Sequence, residues 1–161
     1  MPVVSSEPST AVSPGKRILC IEDNLEAATL IAEDLRERGY AVTIARDGRS
    51  GFAAILQARP DLVLCDVNMP DMGGFEVLES LRALASEFAA VPFVFLTANR
   101  DRDSEVKGRR LGADDYLTKP MDFELLAAII ARLSQGQRRE VWYRPNLDEE
   151  PNPVQAPSNA S

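Results

Sequence analysis

The chain has 161 residues, of which 45% are hydrophobic and 27% are charged, and its formal net charge is -7. This length allows one domain with a proper core plus terminal segments. The acidic balance argues against direct electrostatic binding of nucleic acid. The sequence contains no histidine, which excludes His-based triads, histidine phosphotransfer on this chain and His-ligated zinc.

The cysteines and the absence of targeting signals predict a cytoplasmic protein. Cys20 and Cys65 both lie in short apolar runs, where reduced core thiols are favoured over the alternative of a metal or redox role. Residues 1–15 lack the basic start and long apolar core of a signal peptide. No run reaches the ~20 apolar residues of a membrane span.

The first half of the chain alternates strand-like and helix-like segments. Ile18–Ile21 is a short apolar strand, and a helix with apolar residues at helical spacing follows it and closes at Arg38-Gly39. Tyr40–Ala45 predicts a strand at the edge of a sheet. A second helix then ends before Pro60.

The second half continues this alternation. Leu62–Cys65 is a continuous apolar run, typical of a strand buried on both faces, and it ends abruptly at Asp66. The Pro70 and Gly73-Gly74 that follow predict a loop. The remaining predicted elements are a helix over 75–85, a strand over 91–96, a charge-rich helix over 101–111, a strand over 115–118 and a helix over 122–133.

This pattern predicts an α/β fold of five βα units, with a parallel sheet covered by helices on both faces. The expected domain covers residues 16–133. Residues 1–15 predict a disordered arm, and residues 134–161 a helical extension with a proline-rich acidic tail that is disordered. Val141-Trp142-Tyr143 in that tail is compatible with docking or pairing, although a partly ordered linker is the favoured interpretation.

Chemically reactive side chains follow four of the five predicted strands. In an open parallel sheet, ligands bind beyond the carboxyl ends of the strands, so these side chains are expected to meet at one edge. The edge strand at 40–45 supplies none. The candidates are Glu22, Asp23, Asp66, Thr97 and Lys119.

Three carboxylates in one place require a compensating charge. Two of them about 5 Å apart repel by roughly 3 kcal/mol at an effective dielectric near 20, so a cluster either raises its own pKa values or binds a divalent cation. All-oxygen ligands suit Mg²⁺, beside which a carboxylate can attack phosphorus. Lys119 and Thr97 would then hold phosphoryl oxygens.

Each of these residues also has a simpler explanation. Asp23 or Asn24 could cap a helix, Lys119 could be a solvated charge, Thr97 could merely end a strand, and Asp66 could be a turn aspartate. The favoured interpretation is a phosphoryl site. Otherwise all of the simpler explanations would have to be true at once, each at a strand end where the phosphoryl site needs that residue.

At these residues the chain closely resembles the receiver domain of two-component response regulators. The resemblance covers residues 16–133 in the family's order and spacing, and implies a doubly wound, flavodoxin-like or CheY-like sandwich with strand order 2-1-3-4-5. The matching motifs are Glu22-Asp23, Asp66-x-x-Met69-Pro70, Gly73-Gly74, Thr97-Ala98, Gly112-Ala113-Asp114 and Tyr116-x-x-Lys119-Pro120.

The resemblance also implies the roles of the site residues. Asp66 is the expected phosphoacceptor, taking a phosphoryl group from a phosphohistidine on a sensor histidine kinase or phosphotransferase. Mg²⁺, or alternatively Mn²⁺, would be held by Asp23, Asp66 and the main-chain carbonyl of Asn68, with Glu22 binding a metal-bound water. Thr97 and Lys119 would hold the phosphoryl group. The chain would catalyse only its own phosphorylation and dephosphorylation.

The resemblance further implies a conformational output. Tyr116 occupies the position of the family's switch aromatic, which turns inward as Thr97 moves toward the phosphate. The face formed by residues 101–111, 115–118 and 122–133 would then change its affinity for a downstream protein effector or a second copy of the chain. The Lys119–Pro120 peptide bond is expected to be cis.

The basic residues of the fourth predicted helix have two interpretations. A solvated helix is the favoured one, and a partner-recognition or dimerisation surface is the hypothesis beside it. The residues are Arg100, Arg102, Lys107, Arg109 and Arg110.

Two other classes of function remain as alternatives. A Mg²⁺-dependent phosphatase of the haloacid-dehalogenase kind needs an acid–base aspartate two residues after its nucleophile, where this chain has Asn68. A binding module that works without phosphorylation would have no use for the acid cluster. Asn68 and Asn99, small polar residues expected beside phospho-Asp66, predict a phosphoryl lifetime of seconds to minutes.

Overall fold

A computed structural model describes residues 16–84, 88, 90–98 and 102–136. Its five parallel strands are hydrogen-bonded in the order β2-β1-β3-β4-β5, as predicted. The elements, in chain order, are β1 Arg17–Ile21, α1 Leu25–Glu37, β2 Ala41–Ala45, α2 Gly48–Ala58, β3 Leu62–Asp66, α3 Gly74–Arg82, β4 Phe93–Thr97, α4 Arg102–Arg110, β5 Asp115–Thr118 and α5 Phe123–Ser134.

Some of the sequence predictions concern residues outside this description. The expected arm at 1–15 and the segment Val141-Trp142-Tyr143 belong to this group, as does Ala85 at the end of the third predicted helix. The fourth strand begins at Phe93 rather than at residue 91, because proline lacks the N–H that a ladder requires and precedes the strand. Within the described residues, no helix is both long and apolar enough to cross a membrane.

Alternating side chains divide the core into two layers, one on each face of the sheet. On one face, Ile18, Cys20 and Leu64 pack with α1 and α5. On the other face, Cys65 and its neighbours pack with α2 and α3, and Leu111, directly after α4, packs against them. The two cysteines are buried and free, and they belong to different layers because they occupy opposite faces of neighbouring strands.

The register of the parallel strands brings their carboxyl ends together. Ile21 of β1 pairs with Cys65 of β3, so the residues that follow, Glu22 and Asp66, are adjacent. Asp66 in turn pairs with Leu96 of β4, one residue before Thr97. The crevice between β1 and β3, where the strand order reverses, is the place where such sheets bind ligands.

The turn after β3 depends on a glycine at the start of α3. A Cβ on Gly74 would lie 2.4 Å from the main-chain oxygen of Asp66, and the Gly74 N–H donates to the Val67 carbonyl at 2.9 Å. Both neighbours are backbone atoms, which cannot rotate away. The helix therefore begins directly against the residue that carries the central carboxylate.

Gly74→Ala is expected to lower the free energy of unfolding by about 1–3 kcal/mol, because the clash with backbone outweighs the gain in helix propensity. Urea denaturation would measure this difference. Glu79→Ala, at an exposed position of the same helix, is the matched control and should change stability by less than about 0.5 kcal/mol. A Gly74→Ala protein as stable as this control would contradict the account.

Candidate functional site

Three carboxylates meet at the carboxyl edge of the sheet. Glu22, Asp23 and Asp66 each place one carboxylate oxygen within 4.8 Å of the others. Glu22 is completely buried and Asp66 is only 6% exposed. Asn24 caps α1 by accepting from the Ala27 N–H at 2.9 Å, so the capping explanation applies to Asn24, and Asp23 joins the cluster.

Lys119 supplies a positive charge to this cluster from the end of β5. Its ammonium donates to Glu22 Oε1 at 2.7 Å and lies 3.9 Å from Asp66 Oδ2. The solvated-charge explanation of Lys119 is therefore wrong, because the side chain bridges the two most buried acids. One ammonium faces three carboxylates, which leaves the cluster with a net negative charge.

Backbone groups complete the surroundings of the acids. The Asn24 N–H donates to Glu22 Oε2 at 3.2 Å, and the Asn68 N–H lies 3.4 Å from Asp66 Oδ1. Thr97 is fully buried at the end of β4, and its carbonyl accepts from the Lys119 N–H at 2.7 Å. The Lys119–Pro120 bond is cis, as expected. All five predicted strand-end residues thus lie at one edge.

The pKa of Asp66 is raised from 3.8 to about 7. Burial is the main cause, because removal from water disfavours the charged form, and repulsion by Glu22 adds to it. The positive charge of Lys119 opposes both effects. Without a further cation, the cluster therefore favours a protonated Asp66 at acidic pH.

The donor set of the cluster fits a hard divalent cation. Carboxylate and carbonyl oxygens are the ligands that Mg²⁺ prefers. Softer metals favour thiolate or imidazole ligands, but both thiols are buried in the core layers and the chain has no histidine. The excess of negative charge over Lys119 gives such a cation a favourable field.

Tyr116 lies on the edge strand β5, on the sheet face covered by α4. Its side chain is buried, and its ring packs edge-on against Phe95, with centroids 6.1 Å apart. Phe95 packs in the same manner against Phe75, at 5.1 Å. Sequence analysis missed the role of Gly108, where a Cβ would lie 3.1 Å from Tyr116 Cδ2. The missing side chain allows α4 to sit close over the aromatic rings.

A residue after the edge strand also reaches the site. Sequence analysis assigned no contribution to this corner, but Arg46 Nη2 donates to the main-chain carbonyl of Asp23 at 3.3 Å. The available signal was its position, since Arg46 directly follows a parallel strand like the other site residues. The edge strand at 40–45 was expected to supply no site residue, and Arg46 lies just beyond it.

Comparisons with known proteins agree on one family. The model of the response regulator receiver domain matches residues 18–131. The transcriptional regulatory protein RprY of Bacteroides fragilis is 37% identical over 128 residues, covering 77% of this chain and 53% of that protein. The transcriptional regulatory protein DltR of Streptococcus agalactiae is 42% identical over 121 residues, covering 74% of this chain and 53% of that protein.

Solved structures agree with these relatives. The chemotaxis response regulator CheY4 of Vibrio cholerae superposes with a TM-score of 0.67 at 32% identity, over 73% of this chain and 97% of that chain. A putative response regulator of Chloroflexus aurantiacus superposes with a TM-score of 0.72 at 28% identity, over 76% and 99%. The chain spans about half the length of the curated relatives it matches.

In the absence of divalent cations, Asp66→Asn is expected to be more stable than the wild-type protein, increasingly so as pH rises. The unfolded pKa is about 3.9 and the folded pKa about 7, so between these values the folded state binds more protons and wild-type stability falls with pH. The difference should be small near pH 4 and reach about 1–3 kcal/mol near pH 8.

Urea denaturation in EDTA across this pH range would measure the difference. Asp71→Asn, at an exposed position of the following loop, is the control and should give a difference that does not grow with pH. A pH-independent effect of Asp66→Asn would show that the carboxylate is not held in an unfavourable environment.

Proposed function

Because the chain belongs to the response regulator receiver family, we propose that it is a phosphorylation-controlled switch in a two-component signalling pathway. In this proposal Asp66 is the phosphoacceptor. The observation that carries it is the buried Asp66 carboxylate clustered with two further acids and one lysine. A lone structural aspartate has no need of this arrangement.

The proposed reaction is a transfer of one phosphoryl group. A carboxylate oxygen of Asp66 attacks phosphorus on a phosphohistidine of a sensor kinase or phosphotransferase. An O–P bond forms, the P–N bond breaks, and the imidazole nitrogen leaves with its electron pair. Lys119, 3.9 Å from Asp66, and Thr97 at the end of β4 then hold the phosphoryl oxygens by charge and by hydrogen bond.

In this proposal Mg²⁺, or Mn²⁺ in its place, neutralises the negative charge that accumulates during transfer. Asp23, Asp66 and the Asn68 carbonyl would hold the ion, and Glu22 would hold one of its waters. Lys119 is bonded to Glu22 in the structure. Its ammonium therefore has to be shared with, or passed to, the phosphoryl group when that group arrives.

The proposed output uses the face formed by α4, β5 and α5. Tyr116 already lies inward against Phe95, and movement of Thr97 toward the phosphoryl group would favour this inward position and change the packing of α4. A downstream protein effector or a second copy of the chain would read the altered face. Its basic residues include Arg109, which pairs with Glu105, and Arg110, whereas Arg100 lies outside the described residues.

No turnover of an external substrate is part of this proposal, since the chain would act only on its own aspartate. A cytoplasmic location also belongs to the proposal, and both free cysteines being buried in the core is compatible with it.

Incubation with acetyl phosphate and Mg²⁺ is expected to add one phosphoryl group to the wild-type protein, as read by intact-protein mass spectrometry. Asp66→Asn should gain none, because it lacks the attacking carboxylate oxygen. Asp71→Asn should gain as much as wild type, because Asp71 lies in the next loop outside the acid cluster, and EDTA should prevent the reaction. A wild-type protein that forms neither this adduct nor a beryllofluoride complex would refute the proposal.

The phosphorylated protein is expected to lose its phosphoryl group within seconds to minutes at neutral pH. The reason is that Asn68, small and exposed beside Asp66, does not obstruct water; Asn99, the second residue behind this prediction, lies outside the described residues. Mass measurements after removal of the donor would give the lifetime. Asn68→Arg should lengthen it by screening the phosphorus, and persistence of the wild-type adduct overnight would contradict the prediction.

A further inference from the structure

The corner between β2 and α2 lies beside the acid cluster and is hydrogen-bonded to Glu22 and Asp23. The Glu22 N–H donates to the Ala45 carbonyl at 2.9 Å, which joins the end of β2 to the buried acid. Asp47 caps α2 by accepting from the Ser50 N–H at 2.7 Å. These two hydrogen bonds hold the backbone on both sides of Arg46, whereas its side chain is exposed.

The guanidinium of Arg46 is hydrogen-bonded to a neutral carbonyl group rather than to a carboxylate. It donates to the main-chain carbonyl of Asp23 at 3.3 Å, and within the described residues it forms no ion pair. A hydrogen bond to a carbonyl does not neutralise a positive charge, whereas the Lys119 ammonium is shared between two carboxylates. Arg46 thus brings a second cation next to Asp23, one of the three acids of the cluster.

The effect of this charge depends on the state of Asp66. Apart from Arg46, three carboxylates face one ammonium before phosphorylation, so a bound divalent cation alone would bring the site to neutrality. An aspartyl phosphate carries close to two negative charges where the carboxylate carried one, so the phosphorylated site is more negative by about one charge. A neighbouring guanidinium offsets this additional charge but repels the divalent cation beforehand.

We propose that Arg46 is a positioning residue for the phosphorylation of Asp66, whose charge favours the anionic phosphoryl group at the expense of metal affinity. This inference rests on the proposed function. It concerns a residue outside the acid cluster. It predicts that removing the Arg46 charge raises the affinity for a divalent cation and lowers the rate of phosphorylation.

Arg46→Gln is expected to bind Mn²⁺ about two- to threefold more tightly than wild type and to accept a phosphoryl group from acetyl phosphate about two- to fivefold more slowly at saturating Mg²⁺. Electron paramagnetic resonance titration of free Mn²⁺ would give the first value without any phosphorylation. Time-resolved mass spectrometry would give the second. Both effects should shrink between about 0.02 M and 0.5 M salt, because the guanidinium is exposed to solvent.

Two further variants separate charge from structure. Arg46→Lys keeps the charge and should retain wild-type values for both quantities. Arg49→Gln removes an exposed arginine three residues along, which forms no hydrogen bond or ion pair with the acid cluster in the described ranges, and it should also match wild type. A merely structural role for Arg46 would weaken metal binding and phosphorylation together, which would overturn the proposal.

The outcomes also distinguish the two proposals. If the wild-type protein accepts no phosphoryl group, the proposed function fails and this inference fails with it. If the wild-type protein is phosphorylated and Arg46→Gln has the same Mn²⁺ affinity and the same rate, the inference about Arg46 alone is wrong. If Arg46→Lys slowed phosphorylation as much as Arg46→Gln does, the inference would likewise be overturned, because the charge would then not be the cause.

Discussion

The structure depends on the cost of holding negative charge at the buried end of a sheet. Glu22 directly follows β1 and Asp66 is the last residue of β3. Both are almost inaccessible to water, where an unpaired carboxylate is strongly unfavourable. The Lys119 ammonium compensates part of this charge, at 2.7 Å from Glu22. This ion pair requires β1 and β5 to end at the same level, although β3 and β4 lie between them in the sheet. The parallel register of the sheet is therefore a condition for the site as well as for the core.

Lys119 compensates only part of the negative charge of the three carboxylates. One ammonium leaves the pKa of Asp66 at about 7 because burial and Glu22 outweigh Lys119. A fully neutralised cluster would be more stable, but it would attract a divalent cation less strongly. The residual negative charge thus lowers the stability of the empty site and creates the driving force for binding. Stability and ligand affinity are linked through the same three carboxylates.

The parallel sheet and the strand-end residues could be predicted from periodic patterns in the sequence, whereas the strand order was implied by the resemblance to receiver domains. Five alternating βα units imply a parallel sheet, and the carboxyl ends of parallel strands converge on one edge, so Glu22, Asp66 and Lys119 could be placed together. The preference of Lys119 for Glu22 over Asp66 could not be predicted, because it depends on side-chain reach across the crevice. Gly108 was missed for a similar reason: a glycine in a charge-rich helix has no apolar signal, and its role is defined only by the rings beneath it.

The corner at Arg46 shows that the residue after an edge strand can also contact the site. A strand that supplies no reactive side chain still directs the residue after it toward the same edge, and its backbone can be joined to the site, as the Glu22–Ala45 hydrogen bond shows. Lys119 contacts the acids directly and is constrained by them, whereas Arg46 contacts only a carbonyl and remains exposed. A cation of the first kind organises the empty site. In the role proposed for Arg46, a cation of the second kind acts when phosphorylation of Asp66 makes the site more negative.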